Sequence, residues 1–129
     1  MAQLIVLDAS VGIAALSGGD AHHRSAARAL AAATDADLVL AATSRAEIMV
    51  GPCAVGGEPL AAARDFVDGC ETVPVTAAIA DDAAALRARY RALSLPDAIA
   101  LVVATLIDAD AIWTFDRRWS GVDSRVVHP

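Results

Sequence analysis

Four acids stand at positions where an apolar run gives way to polar chain. Asp8 follows Gln3 to Leu7, Glu47 follows Leu38 to Ala42, Asp116 follows Ala111 to Phe115, and Asp97 opens an apolar segment in Leu95-Pro96-Asp97-Ala98. Carboxylate oxygens are the donors that Mg²⁺ and Mn²⁺ prefer. These ions keep several waters, so two or three carboxylates suffice when a phosphate completes the shell. Such a cation acidifies a water, aligns it for in-line attack on phosphorus and stabilises the leaving oxygen. No nucleophilic side chain is then required.

The elements that must position these acids alternate along the chain. Gln3 to Leu7 reads as a strand, and Val11 to Leu16 as one or two helical turns closed by Ser17-Gly18-Gly19. Asp20 is placed to cap a helix reaching Thr34. Leu38 to Ala42 is the next strand, and a helix from Thr43 or Ser44 to Val50 is expected to break or bend at Gly51-Pro52. A helix over Glu58 to Cys70, a strand over Thr72 to Val75 and an Ala-rich helix over Thr76 to Leu93 follow. Pro96 suits the first turn of a helix to Ile107, and Ala111 to Phe115 and Arg125 to Val127 are the last strands. With no internal repeat or linker-like tract, the expectation is an α/β fold in one domain over residues 1–129. Its central sheet is mainly parallel, with about four to five short strands flanked by helices.

In such a sheet, each helix that connects two strands starts at the edge where strands finish, and ligand sites of open α/β sheets lie there. Asp8, Glu47 and Asp116 follow strands, and Asp97 opens the helix before the strand Ala111 to Phe115. All four therefore belong to one edge. Asp108 and Asp110 follow a helix and belong to the opposite edge. Asp65, Asp68, Asp81 and Asp82 fall inside helices, and Asp35, Asp37, Glu58, Glu71 and Asp123 sit in turns. Each chosen acid also has a structural reading: Asp8 and Asp116 as caps, Asp97 as a favourable first-turn charge, and Ser44-Arg45-Ala46-Glu47 as a capping box. Those readings do not explain why acids recur on one edge, where Ser or Thr would cap without like-charge repulsion.

Composition narrows the chemistry. The 129 residues are enough for a core without disulfides, and 57% hydrophobic with only 4% aromatic residues implies one of Ala, Val, Leu and Ile. Cys53 and Cys70 lack any CxxC or Cys/His cluster, so they read as two small buried hydrophobes in a reducing cytoplasm rather than a disulfide framework or zinc site. Asp8 interrupts the amino-terminal apolar stretch, and the run Ala98 to Ile107 is too short to span a bilayer. A cytoplasmic protein with no membrane partner is expected. The net charge of −6 argues against a general nucleic-acid binder, although cations among the acids would offset part of it. All ten basic residues are arginine. The absence of lysine excludes a Walker A phosphate loop and disfavours receiver domains and haloacid-dehalogenase-like phosphatases.

Of the arginines, Arg117 and Arg118 neighbour Asp116 and are the better candidates for phosphate contact, while Arg87, Arg89 and Arg91 read as a solvated helical face. His22 and His23 are adjacent, so on a helix they point apart and do not form a metal pair; His128 carries no signal. No basic patch interleaved with aromatics reads as a single-strand RNA platform.

Taken in order, Leu7-Asp8-Ala9-Ser10, Glu47, Leu95-Pro96-Asp97-Ala98 and Thr114-Phe115-Asp116-Arg117-Arg118-Trp119 resemble the PIN domain, and more narrowly the VapC-type toxins of toxin-antitoxin modules. The resemblance spans nearly the whole chain, with LPDA before an apolar helix its most specific part. It departs in Trp119, a place often held by Phe, and in the apolar Phe115 before Asp116. It implies a Mg²⁺- or Mn²⁺-dependent endoribonuclease acting on structured RNA of the tRNA or rRNA class and restraining translation and growth. Asp8 and Asp97 become the main metal ligands, Asp116 a third ligand or the holder of a second metal, and Glu47 the group that orients the attacking water. Ser10 would support Asp8. The same resemblance implies a cognate antitoxin whose tail enters the acidic groove, with contact on the early helices, and a homodimer. The alternatives are a catalytically inactive RNA- or antitoxin-binding PIN module and a related metal-dependent DNA or flap nuclease.

Overall fold

The computed structural model describes residues 2–129. Its elements are β1 (Gln3–Leu7), α1 (Ala9–Leu16), α2 (His23–Ala32), β2 (Ala36–Ala41), α3 (Ala42–Val55), α4 (Gly57–Asp68), β3 (Glu71–Val73), α5 (Ala77–Arg89), α6 (Leu95–Leu106), β4 (Ala111–Trp113), a 3-10 turn (Arg117–Trp119) and β5 (Val126–Val127). The five strands lie in the order β3-β2-β1-β4-β5, and every neighbouring pair is parallel. The α/β architecture expected from the alternation of elements is therefore the one observed.

Strand periodicity explains how the sheet is covered on both faces. Ile5, Leu7, Leu40 and Ala111 point to one side and pack with Val11, Ala14, Ala26, Ile48 and Val67 of the first four helices. The intervening Val6, Val39, Ala41 and Ile112 point to the other side, where Ile79 of α5 and Leu101 and Val103 of α6 meet them. Trp119 is wholly buried in this second layer, so the departure from Phe is a core choice. Among the described residues, no helix is long and apolar enough to cross a membrane.

Several boundaries differ from those expected. α3 runs straight through Gly51-Pro52 to Val55. Proline removes one amide donor, but the following turn still closes, with Gly56 N donating to Pro52 O at 2.8 Å. The helix stops only where Gly56 and Gly57 turn to positive φ, 76° and 58°. Asp20 does not cap α2; its Oδ1 accepts from His22 N at 2.8 Å, forming a turn that delays the helix to His23. α3 begins at Ala42, which places Ser44 inside the helix, so the expected capping box with Glu47 does not form. Asp37, Glu58 and Glu71 belong to β2, α4 and β3 rather than to turns, and of the two cysteines expected to be buried only Cys70 is, since Cys53 lies on the exposed end of α3.

Gly12 sets how closely the amino-terminal helix approaches α3. A Cβ at this position would lie 2.5 Å from Ile48 Cδ1 and 3.1 Å from Phe66 Cε1. The missing side chain thus lets α1, which starts beside Asp8, rest on the helix that bears Glu47.

Candidate active site

The sheet order reverses at β1, with β2 on one side and β4 on the other. That switch point opens a crevice at the carboxyl ends of the strands. Asp8 stands there, directly after β1, and its backbone N–H donates to Trp113 O of β4 at 2.9 Å. Its side chain is 7% exposed. One carboxylate oxygen, Oδ2, accepts from Ser10 Oγ at 2.7 Å and from Thr114 Oγ1 at 2.8 Å. The two hydroxyls are fixed in turn: Ser10 Oγ accepts from Phe115 N at 3.1 Å and Thr114 Oγ1 accepts from Asp116 N at 3.0 Å. The contact implied for Ser10 is present.

Thr114 is a contact to Asp8 that sequence reasoning left unassigned. The register pairs Leu7 with Trp113, so the residues after these two strands face each other across the crevice. Adjacency of β1 and β4 was the signal required, and strand order is not written in local patterns.

Asp97 lies in the first turn of α6 and makes a reciprocal cap. Its N–H donates to Ser94 Oγ at 3.2 Å, and its Oδ2 accepts from Ser94 N at 2.9 Å. The capping box thus belongs to Asp97 instead of Glu47. The cap uses Oδ2, while Oδ1 takes no part in it. Glu47 carries no side-chain hydrogen bond among the described residues and lies on an exposed stretch of α3.

The acids of the crevice differ in their electrostatic setting. Burial pushes the Asp8 carboxyl up from its ordinary range, opposed by the Ser10 and Thr114 hydroxyls and reinforced by the charge of Asp97. Glu47, exposed by surface area but set against the crevice wall, is raised by partial loss of solvent, with the charges of Asp8 and Asp97 adding to it. Asp116 behaves differently. Arg118 grips both its oxygens, Nη2 to Oδ2 at 2.6 Å and Nε to Oδ1 at 3.0 Å, and this holds Asp116 below the usual carboxylate range. Arg118, a candidate for phosphate contact, is therefore already engaged. Asp110 lies at the opposite edge, where its Oδ2 accepts from Leu4 N at 2.7 Å.

Among the described residues, no three Asp, Glu, His or Cys side chains converge into a ready-made metal shell. The donor set is nonetheless wholly oxygen and anionic, and neighbouring acid charges add to the burial that raises Asp8 and Glu47. That chemistry suits a hard divalent ion that keeps part of its hydration.

The family model of the PIN domain matches residues 5–124. The chain belongs to the PIN domain family. Similar solved structures share this PIN architecture over nearly their whole length. A toxin-antitoxin complex from Klebsiella pneumoniae is 26% identical with a TM-score of 0.80, covering 96% of each chain. VapC20 of Mycobacterium tuberculosis, a sarcin-ricin loop cleaving toxin, is 24% identical with a TM-score of 0.81, covering 97% of this chain and 99% of its own. VapBC2 from Rickettsia felis, bound to a DNA fragment from its promoter, gives 12% identity and a TM-score of 0.68 over 98% of each chain. At those identities, the last two show the fold alone. A search of curated protein sequences finds no significant match.

Proposed function

We propose that this PIN domain is a Mg²⁺- or Mn²⁺-dependent endoribonuclease, the toxin of a toxin-antitoxin pair. The observation that carries the reading is the placement of Asp8 at the sheet's switch point, its carboxylate fixed by Ser10 and Thr114, with Asp97 at the head of α6 close enough for its charge to act on Asp8. Asp8 and Asp97 would hold the cation, with Glu47 beside them. What the ion supplies when bound is charge neutralisation, activation of water and stabilisation of the leaving oxygen. Asp116 is already neutralised by Arg118, so the reading takes one cation rather than two.

The chain's own groups do the rest. Ser10 and Thr114 fix the Asp8 carboxylate, so little ordering remains to be done when substrate arrives. Glu47, raised by burial and its acidic neighbours, accepts the proton of the attacking water as oxygen bonds to phosphorus and the P–O3′ bond breaks. The departing O3′ takes a proton from solvent, so the products are a 5′-phosphate and a 3′-hydroxyl. RNA as substrate, and the structured tRNA or rRNA class in particular, rest on the likeness to VapC toxins rather than on any residue that reads a 2′-hydroxyl.

An antitoxin partner fits a second feature. An apolar groove of about 470 Å³ lies between α1, α3 and α4, lined by Ile13, Leu16, Ile48, Val50 and Val55, with Glu47 on its wall. Val50 and Val55 are 70% and 72% exposed. A partner helix with an apolar stripe would cover them, and an arginine extended from it would reach the acids. The Klebsiella relative is a toxin-antitoxin complex.

Purified protein should cut RNA in Mg²⁺ or Mn²⁺ and stop in chelator, and Asp8→Asn and Asp97→Asn should each reduce cutting by at least about a hundredfold while remaining folded. Retained cutting in both variants refutes the reading.

A further inference from the structure

The stacked pair formed by His22 and Phe115 lies beside the acids. Their ring centroids are 4.3 Å apart and their planes differ by 7°. Phe115 belongs to the site's framework, since its N–H donates to Ser10 Oγ, the hydroxyl that holds Asp8. His22 is held by its loop, with its N–H donating to Asp20 Oδ1 at 2.8 Å and the next residue's ring, His23 Nδ1, 2.8 Å from Ala14 O. Phe115 covers one face of the imidazole, and His22 nevertheless remains an exposed residue.

The charges around the crevice make this pair more than packing. The net charge is −6, the crevice is lined by acids, and Arg118 is committed to Asp116. The bound cation and the exposed Arg117 are then what attract the scissile phosphate, and no broad basic surface holds the rest of the strand. Stacking is the other general source of affinity for single-stranded nucleic acid; it needs no charge and tolerates any base. Of the other large rings, Trp119 is buried in the core, Phe66 and Trp113 pack against the core under the first four helices, and Tyr90 packs on the opposite face of the sheet.

We propose that the His22–Phe115 stack is a platform that takes up one unpaired base of the substrate next to the phosphodiester held at the acids. The proposal rests on the nuclease reading. A base laid on the outer face of His22 would continue the stack and fix the register of the strand relative to Asp8. It would favour cutting in loops, bulges or ends, where a base can splay out.

Binding of a short single-stranded RNA carrying the fluorescent base 2-aminopurine, measured in an Asp8→Asn background that prevents cutting, tests the proposal together with cleavage kinetics in the otherwise native chain. With His22→Ala, affinity should fall roughly tenfold to a hundredfold, the 2-aminopurine quenching should be lost, and the cleavage defect should fall on KM rather than kcat. His22→Tyr, which keeps a flat ring, should restore all three. Unchanged affinity and KM in His22→Ala, with RNA still cut by the native chain, would overturn the platform and leave the nuclease reading intact. A loss that Tyr does not restore also overturns it. A native chain that neither binds nor cuts RNA overturns both.

Discussion

The Asp8 carboxylate is built to be charged at a cost. Burial raises it above the ordinary range while two hydroxyls pull it back, so the folded chain binds a proton at this position more tightly than the unfolded chain does. Its contribution to stability is therefore greatest at low pH and is lost as pH rises from the unfolded value near 3.8 through the raised folded value. Replacing Asp8 by Asn removes the buried charge. In metal-free buffer, Asp8→Asn should melt higher than the native chain at neutral pH, and the gap should close as pH falls toward 4, read by thermal unfolding across a pH series. Asp116, held low by Arg118, works with the opposite sign: its contribution is present above the usual carboxylate range and is lost on acidification. Thr114 joins the two acids, donating to Asp8 and accepting from Asp116 N. Thr114→Val should keep the shape, lower cleavage about tenfold to a hundredfold and cost about 1 kcal/mol of stability, whereas Thr114→Ser should keep most activity. Equal activity in the Val variant would show that the hydroxyl does not orient Asp8.

Two elements decide how the acids meet, and the sequence announced them unevenly. Pro96 in the first turn and the apolar run behind it made α6 legible, and with it the placement of Asp97. The start of α3 was not legible, because Thr43 and Ser44 resemble caps while the helix actually begins at Ala42. Both hydroxyls are instead buried without a hydrogen-bond partner among the described residues. Capping preference is a local signal worth about 1 kcal/mol, and the direct passage from buried β2 into α3 outweighs it. Gly12 carried no sequence signal, since its role is a close approach to a helix some thirty-five residues further on. Gly12→Ala should drive a methyl into fully buried Ile48 and lower stability by about 1–3 kcal/mol, measured by denaturant unfolding. If α1 and α3 separate to relieve the clash, cutting should fall with stability, because Asp8 leads into α1 and Glu47 rides on α3.

At the scale of the whole molecule, fold class and the edge shared by the acids could be argued from alternation alone, because parallel crossovers leave little choice of direction. Strand order could not, and with it went the pairing of Asp8 with Thr114. A molecule that gathers like charges at one crevice should be stabilised by whatever cation neutralises them. Saturating Mn²⁺ should raise the melting temperature of the native chain by an amount that grows with concentration, while Asp8→Asn and Asp97→Asn should lose that response. The sheet's borders have a different consequence. β3 and β5 are only three and two residues long, and β3 carries the exposed Glu71 and Thr72 and is followed by Pro74. Such brief, polar margins give a neighbouring chain almost no backbone to zip onto. For a protein that is 57% hydrophobic, this is protection against aggregation by strand addition, and it leaves the exposed helix faces as the surfaces through which the molecule can associate.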